Sequence, residues 1–223
     1  MSAAPAGPYP LQATGPAGGD DVAITRGFRG RGRAARDPRL PPGQYDVGRS
    51  WPVLTAESTP RIDPERWSLT VDGLVEEPTT WTWKQIRALP PETWRGAIHC
   101  VTTWSKLDTA FTGISVDPLL AAARPLPAAT HMVATSTTRY TTNLPLADIT
   151  GGHAWVVWEH EGEPLTREHG GPVRMLVPHL YFWKSAKWIR RITLLDHDQP
   201  GFWEVNGYHD RGDPWREQRF EGD

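Results

Sequence analysis

The chain has 223 residues and a formal charge of −2, which excludes the strongly basic surface of a nucleic-acid or acidic-membrane binder. A single cysteine excludes an internal disulfide, a cysteine-rich zinc site and an iron–sulfur cluster. Twelve tryptophans with 22 prolines and 21 glycines predict a domain of short elements and many turns, whose rings fill a core, line a site or cover an interface.

Residues 1–40 open Ala/Gly/Pro-rich and continue as "RGFRGRGRAARDPR", with arginines at 26, 29, 31, 33, 36 and 39. Such a stretch buries too little apolar surface to offset chain entropy, so a disordered Gly/Pro/Arg-rich tail is predicted. Its arginines fit a docking tail or a solvated linker, and Phe28 is the one aromatic ring among them. No apolar run of signal-peptide type opens the chain, and no window holds the roughly 18 apolar residues of a membrane span. A cytoplasmic location is the expectation.

The folded domain is predicted over 41–223. "WSLTVDGLV" (67–75) alternates apolar and polar residues into Asp72-Gly73, a strand entering a turn. "TWKQIRAL" (82–89) opens on Thr82 with Gln85 three residues later, a capping box, and stops at Pro90-Pro91. Asp117-Pro118 starts a second short helix through "LLAAA". β-Branched "THMVATSTTRYTTNL" (130–144), "HAWVVWEHEGEPL" (153–165), "GPVRMLVP" (171–178) and "KWIRRITLLD" (187–196) read as strands. The whole predicts an α+β, mostly β, single domain. No glycine-rich phosphate loop stands at a strand–helix junction. "GFWEVNGYHDRGDPWREQRF" (201–220) mixes aromatics and charges irregularly, as in an extended segment packed over a domain, with a lid or a partner surface as its possible roles.

Two clusters carry chemistry. Cys100 lies in "GAIHCVTTWSKLD" (96–108) beside His99, but adjacent side chains of a strand point to opposite faces, so the imidazole need not meet the sulfur. An inert buried thiol, a nucleophile and a ligand to a soft metal all fit Cys100 alone. Downstream, "EHGGPVRMLVPHLYFWKSAKWIRRI" (168–192) places a tight His169-Gly170-Gly171 turn, expected to expose backbone N–H groups, before Arg174 in an otherwise apolar strand. Ser185, Ala186 and Lys187 follow. Together they predict a polyanion cradle: a forked guanidinium, a point charge and a nest of amides. A salt bridge from Arg174 to a carboxylate is the plainer alternative.

"IHCVTTWSKLDTAFTGISVDPLL" followed by "HGGPVRMLVPHLYFWKSAKWIRRI" resembles the sulfite-oxidase-type family of molybdopterin-dependent oxidoreductases, in particular its small stand-alone bacterial members, over about residue 41 to the end. The catalytic subunit of the bacterial methionine-sulfoxide reductase system is a relative. The resemblance implies a molybdopterin-binding fold and a mononuclear molybdenum–molybdopterin cofactor with Cys100 as the protein's metal ligand. It also implies two-electron oxygen-atom transfer to or from a small sulfite-, sulfoxide- or N-oxide-like molecule. By the same carry-over His169 lies beside the pterin, Arg174 meets its phosphate, Ser185, Ala186 and Lys187 wrap it, and Thr137, Arg49, Ser50 and Trp51 also contact it. The family places arginines soon after the cysteine to receive an oxyanion. Here Val101–Lys106 holds none, so Trp104 and Tyr140 are expected to meet a less charged substrate. The chain shows no flavin, haem or iron–sulfur motif, so a separate flavin- or haem-carrying electron-transfer protein is expected. A non-catalytic pterin carrier and a cysteine hydrolase are the rival readings.

Overall fold

The computed structural model describes residues 37–223; most of the tail expected over 1–40 lies outside them. Two sheets pack on each other. In chain order, β1 (Tyr45–Asp46) precedes the hairpin β2 (Ser68–Gly73) and β3 (Thr79–Thr82), then helix α1 (Trp83–Ala88) and the hairpin β4 (Glu92–His99) and β5 (Trp104–Ser115). Helix α2 (Asp117–Ala123) leads to β6 (His131–Ser136) and β7 (Thr141–Pro145), followed by β8 (Trp155–His160), β9 (Glu163–Pro164), β10 (Arg174–Leu176) and β11 (Ile189–Leu195). One sheet runs β1-β5-β8-β10, with β4 on β5 and β9 on β8; the other runs β3-β2-β11-β6-β7.

Local signals explain most of these elements. Leu69 and Val71 alternate with polar neighbours on β2 and are fully buried. Gly73 ends the strand at φ +86, where a β-carbon would stand 2.2 Å from the Leu194 carbonyl oxygen. The Thr82/Gln85 capping box forms in both directions and starts α1, which buries Ile86. Pro118 sits in the first turn of α2. The stretch 130–144 is not one strand but a hairpin. Its turn needs a left-handed residue, and Arg139 supplies it at φ 74 without a glycine or proline to mark the spot. The strand expected over 171–178 shortens to Arg174–Leu176, because the residues before it form the tight turn and those after it leave the sheet.

On β8, Val156 and Trp158 enter the core between the sheets, while Trp155 and Val157 enter a second cluster on the outer face. That outer cluster contains Ile98, Cys100, Trp104 and Phe111. The first sheet is therefore buried on both faces, and the cysteine belongs to the outer one.

Candidate active site

Cys100 is not in the strand. It is the first residue of the turn from β4 to β5. Its N–H donates to the Trp104 carbonyl (2.8 Å), and its own carbonyl accepts from Thr103 N–H (3.1 Å), with Thr103 at φ 75. A long-range contact holds the same carbonyl: the Gln44 amide nitrogen donates to it at 3.0 Å. Gln44 Oε1 in turn accepts from Ser105 Oγ (3.2 Å), and Ser105 Oγ pairs with His99 Nδ1 (2.7 Å). The sulfur lies 3.2 Å from Thr102 Oγ1 and has no imidazole partner among the described residues. Burial pushes the thiol up, opposed by Thr102 and by the charges of Lys187 and Arg219. His99 faces the other way, into a separate cleft with His153, His179 and Trp215. A nucleophile–base pair, which hydrolase chemistry needs, is not built around Cys100.

Across from the turn lies the stretch that the sequence marked as a cradle. Gly170, at φ +105, passes so close that a β-carbon would meet Arg174 Cβ at 3.0 Å. The backbone N–H groups of this turn are not free, contrary to the sequence expectation. Those of His169 and Gly171 donate to the Thr166 carbonyl and that of Gly170 to Arg167, because the chain closes into a compact turn. The His169 ring stacks on Trp51 (centroids 3.8 Å, 16° between planes), and its Nε2 lies 3.1 Å from the Trp51 carbonyl. Burial holds this imidazole down to about 4, so it is neutral at pH 7.

Arg174 is 1% exposed. Its Nη1 donates to the His169 carbonyl (2.9 Å), Nη2 to Ser185 (2.8 Å) and Nε to Met175 (3.3 Å), and its plane lies 4.1 Å from the Phe182 ring. No carboxylate among the described residues pairs with it, so the plainer salt-bridge alternative is not what forms. Burial pulls this cation down, to about 9. Lys187 Nζ donates to the Leu54 and Glu168 carbonyls, both at 2.7 Å. Burial, and then the nearby Arg174, bring it to about 7. The buried Arg174 and the half-buried Lys187 beside it are each held by carbonyl dipoles and face no carboxylate among the described residues, a site that favours an anion.

The two halves meet in one pocket of about 120 Å³. Cys100, Trp104 and Tyr140 line it, as do Trp51, His169, Arg174, Ser185, Ala186 and Lys187. Ser185 Oγ accepts from Val177 N–H (2.8 Å) and braces the wall. Arg49 and Ser50 are exposed and outside the pocket. Thr137 is also outside; its N–H donates to the Trp188 carbonyl at 2.9 Å. Tyr140 contributes its ring but not a free hydroxyl, which donates to the Trp183 carbonyl at 2.6 Å. The Trp104 indole N–H, buried in the wall, has no acceptor among the described residues.

Among the lining residues that the sequence did not single out are Glu57, Trp183, Trp203 and Tyr208. Trp203 and Tyr208 come from the C-terminal stretch, whose ring contacts (Trp203–Tyr208 4.7 Å, Trp183–Tyr208 5.2 Å) carry it over the pocket. The segment expected to be extended there carries two 3-10 turns, Glu204–Asn206 and Pro214–Arg216, and forms a wall of the site.

Residues 56–203 match the family described as "oxidoreductase molybdopterin binding domain". The chain is 44% identical over 186 residues to the protein named "uncharacterized oxidoreductase YuiH" of Bacillus subtilis, covering 83% of this chain and 93% of that one. It is 29% identical over 178 residues to the protein-methionine-sulfoxide reductase catalytic subunit MsrP of Gluconobacter oxydans, covering 72% of this chain and 56% of that protein. In three dimensions it superposes on the sulfane dehydrogenase SoxCD of Paracoccus pantotrophus with a TM-score of 0.61 at 20% identity, over 66% of this chain and 42% of that one. The family's cofactor is molybdopterin. The lining fits such a group, with one cysteine sulfur on one side and, on the other, Arg174 and Lys187 facing no carboxylate among the described residues. The chain belongs to the oxidoreductase molybdopterin binding domain family and has the sulfite-oxidase-type fold of its small bacterial members.

Proposed function

We propose that the protein is a mononuclear molybdenum oxidoreductase that works in the pocket between Cys100 and Arg174. It transfers an oxygen atom, with two electrons, to or from a small sulfite-, sulfoxide- or N-oxide-like substrate. The observation that carries this reading is Arg174: a fully buried cation with no carboxylate partner among the described residues, in the same pocket as the chain's one thiol. When bound, the molybdenum–pterin group supplies the two-electron oxygen-transfer chemistry.

The chain's own residues do the rest. Cys100 offers a soft thiolate ligand whose position is set by Gln44 and by the turn. Arg174 and Lys187 would hold the cofactor's phosphate, by the charge their carbonyl partners leave uncancelled. His169, neutral and stacked on Trp51, and the backbone of Ser185 and Ala186 shape the cofactor's seat. Trp104 and the Tyr140 ring bound the substrate side and exclude water. Val101–Lys106 brings no arginine to the substrate, which supports a less charged oxide over sulfite. Electrons pass to or from a separate flavin- or haem-carrying protein. A cysteine hydrolase is disfavoured by the buried, imidazole-free sulfur.

Purified protein should contain about one molybdenum per chain with releasable molybdopterin. It should turn over at least one member of a panel of sulfite, sulfoxides and N-oxides with an artificial electron carrier. Cys100→Ala should lose turnover while pterin is still found. Full activity in Cys100→Ala would refute the proposal. Pterin bound around a metal that cannot change oxidation state would identify a carrier instead.

A further inference from the structure

Two consecutive carbonyls of the Cys100 turn are gripped by side chains from opposite ends of the chain. Gln44 holds the Cys100 carbonyl (3.0 Å), and Arg219 Nη1 holds the Val101 carbonyl at 2.6 Å. The other arm of the guanidinium reaches the Pro42 carbonyl at 3.4 Å, so one fork ties the turn to the segment that also bears Gln44. Arg219 is itself seated firmly. Its guanidinium lies 5.2 Å from the ring of Tyr181, which is fully buried and stacked on the pocket residue Trp183. Its backbone is fixed by His209 N–H on its carbonyl (3.1 Å) and by Asp223 on its N–H (2.9 Å).

The choice of residue carries the argument. Gln44 shows that a neutral amide suffices to brace a carbonyl of this turn. Arg219 does the same job with a full charge, its side chain only 16% exposed, and its nearest carboxylate, Glu217, is half-exposed and 3.9 Å away. Lys106, the cation closest to the turn in sequence, lies on β5 and is committed to the Gly48 and Arg49 carbonyls. A weakly compensated charge in a low-dielectric setting acts on whatever charge sits next to it.

We propose that Arg219 is a positioning residue for the metal ligand: it fixes the Cys100–Val101 turn and holds a positive charge beside the thiolate that binds the metal. This rests on the molybdenum reading above, and the test separates the two. Full-length Arg219→Gln and Arg219→Lys are compared with wild type. In metal-free protein, hydrogen exchange at 100–104 should quicken about tenfold or more in Arg219→Gln, whose amide is two bonds shorter than the guanidinium and falls short of the Val101 carbonyl, with β6 and β11 amides unchanged. In loaded protein, the metal's reduction potential should move negative in Arg219→Gln and return towards wild type in Arg219→Lys, which keeps the charge without the fork. Wild-type exchange at the turn, or an unmoved potential, in Arg219→Gln overturns the proposal. If Arg219→Gln also exposes β6 and β11, Arg219→Lys decides: faster exchange confined to the turn supports the proposal, and wild-type exchange overturns it. Wild-type protein without molybdenum would overturn the functional reading alone, since the exchange measurement needs no metal.

Discussion

Arg174 and Lys184 are both fully buried cations on the same stretch of chain, and their surroundings differ in one respect. Lys184 Nζ lies 2.6 Å from the Glu204 carboxylate, itself 3% exposed, and also donates to the Asn143 carbonyl (2.9 Å) and side-chain oxygen (3.1 Å). Its charge is cancelled in place, and the pair fastens the C-terminal segment to the domain. Arg174 has its hydrogen bonds met by three carbonyls and its face by the Phe182 ring, but no carboxylate among the described residues meets its charge. Since burying an ion costs several kcal/mol, roughly, unless it is paired, the first arrangement is complete and the second is completed by a ligand. A buried cation marks a binding site when its donors are satisfied and its charge is not.

The contrast can be broken at either residue. Arg174→Met should give the largest functional effect, a drop of about tenfold or more in cofactor per chain by metal analysis, while the metal-free protein melts no lower than wild type. A clear loss of stability in the metal-free variant would erase the distinction. Lys184→Met should do the reverse, destabilising the chain by about 3–5 kcal/mol in urea unfolding because Glu204 is left buried without a counter-charge, with the Trp183 indole N–H (2.9 Å) still donating to it. Adding Glu204→Leu to Lys184→Met should recover most of that loss.

A smaller effect concerns anions. Inorganic pyrophosphate should raise the melting temperature of the metal-free wild type, by linkage about 2.7 kcal/mol at a hundredfold excess over Kd, and should do nothing for Arg174→Met. The gentlest probe is pH. Burial holds His99, His160 and His169 down to about 4 from an ordinary 6.5. The unfolded chain therefore binds more protons between those values. The contribution is fully present above pH 6.5 and is lost as pH falls towards 4. The urea midpoint should decline across that window, and His169→Gln should flatten the decline.

Much of this was legible in sequence wherever the cause is local. The capping box at Thr82, the Asp117-Pro118 helix start and the alternation on β2 each fix an element by nearest-neighbour chemistry. The turn at Arg139 was hidden because a non-glycine residue takes the left-handed conformation there. In the site, Cys100 and the Arg174–Lys187 stretch announced themselves by residue type. Gln44, Tyr208 and Arg219 did not, since their roles exist only once segments far apart in sequence are packed together.

That packing fastens the two sides of the pocket by different bonds. The Asn143 amide nitrogen donates to Asp198 and Asp210, both at 2.7 Å, and its oxygen accepts from Lys184, so one side chain moors the C-terminal segment. Trp203 and Tyr208 lie on that moored stretch, and Arg219 lies just past it. Arg174 and Lys187 are held instead by the carbonyls of His169, Ser185, Leu54 and Glu168. Asn143 is thus the anchor of one wall alone, and a change there loosens the cover of the pocket while leaving the bonds of the anion seat untouched.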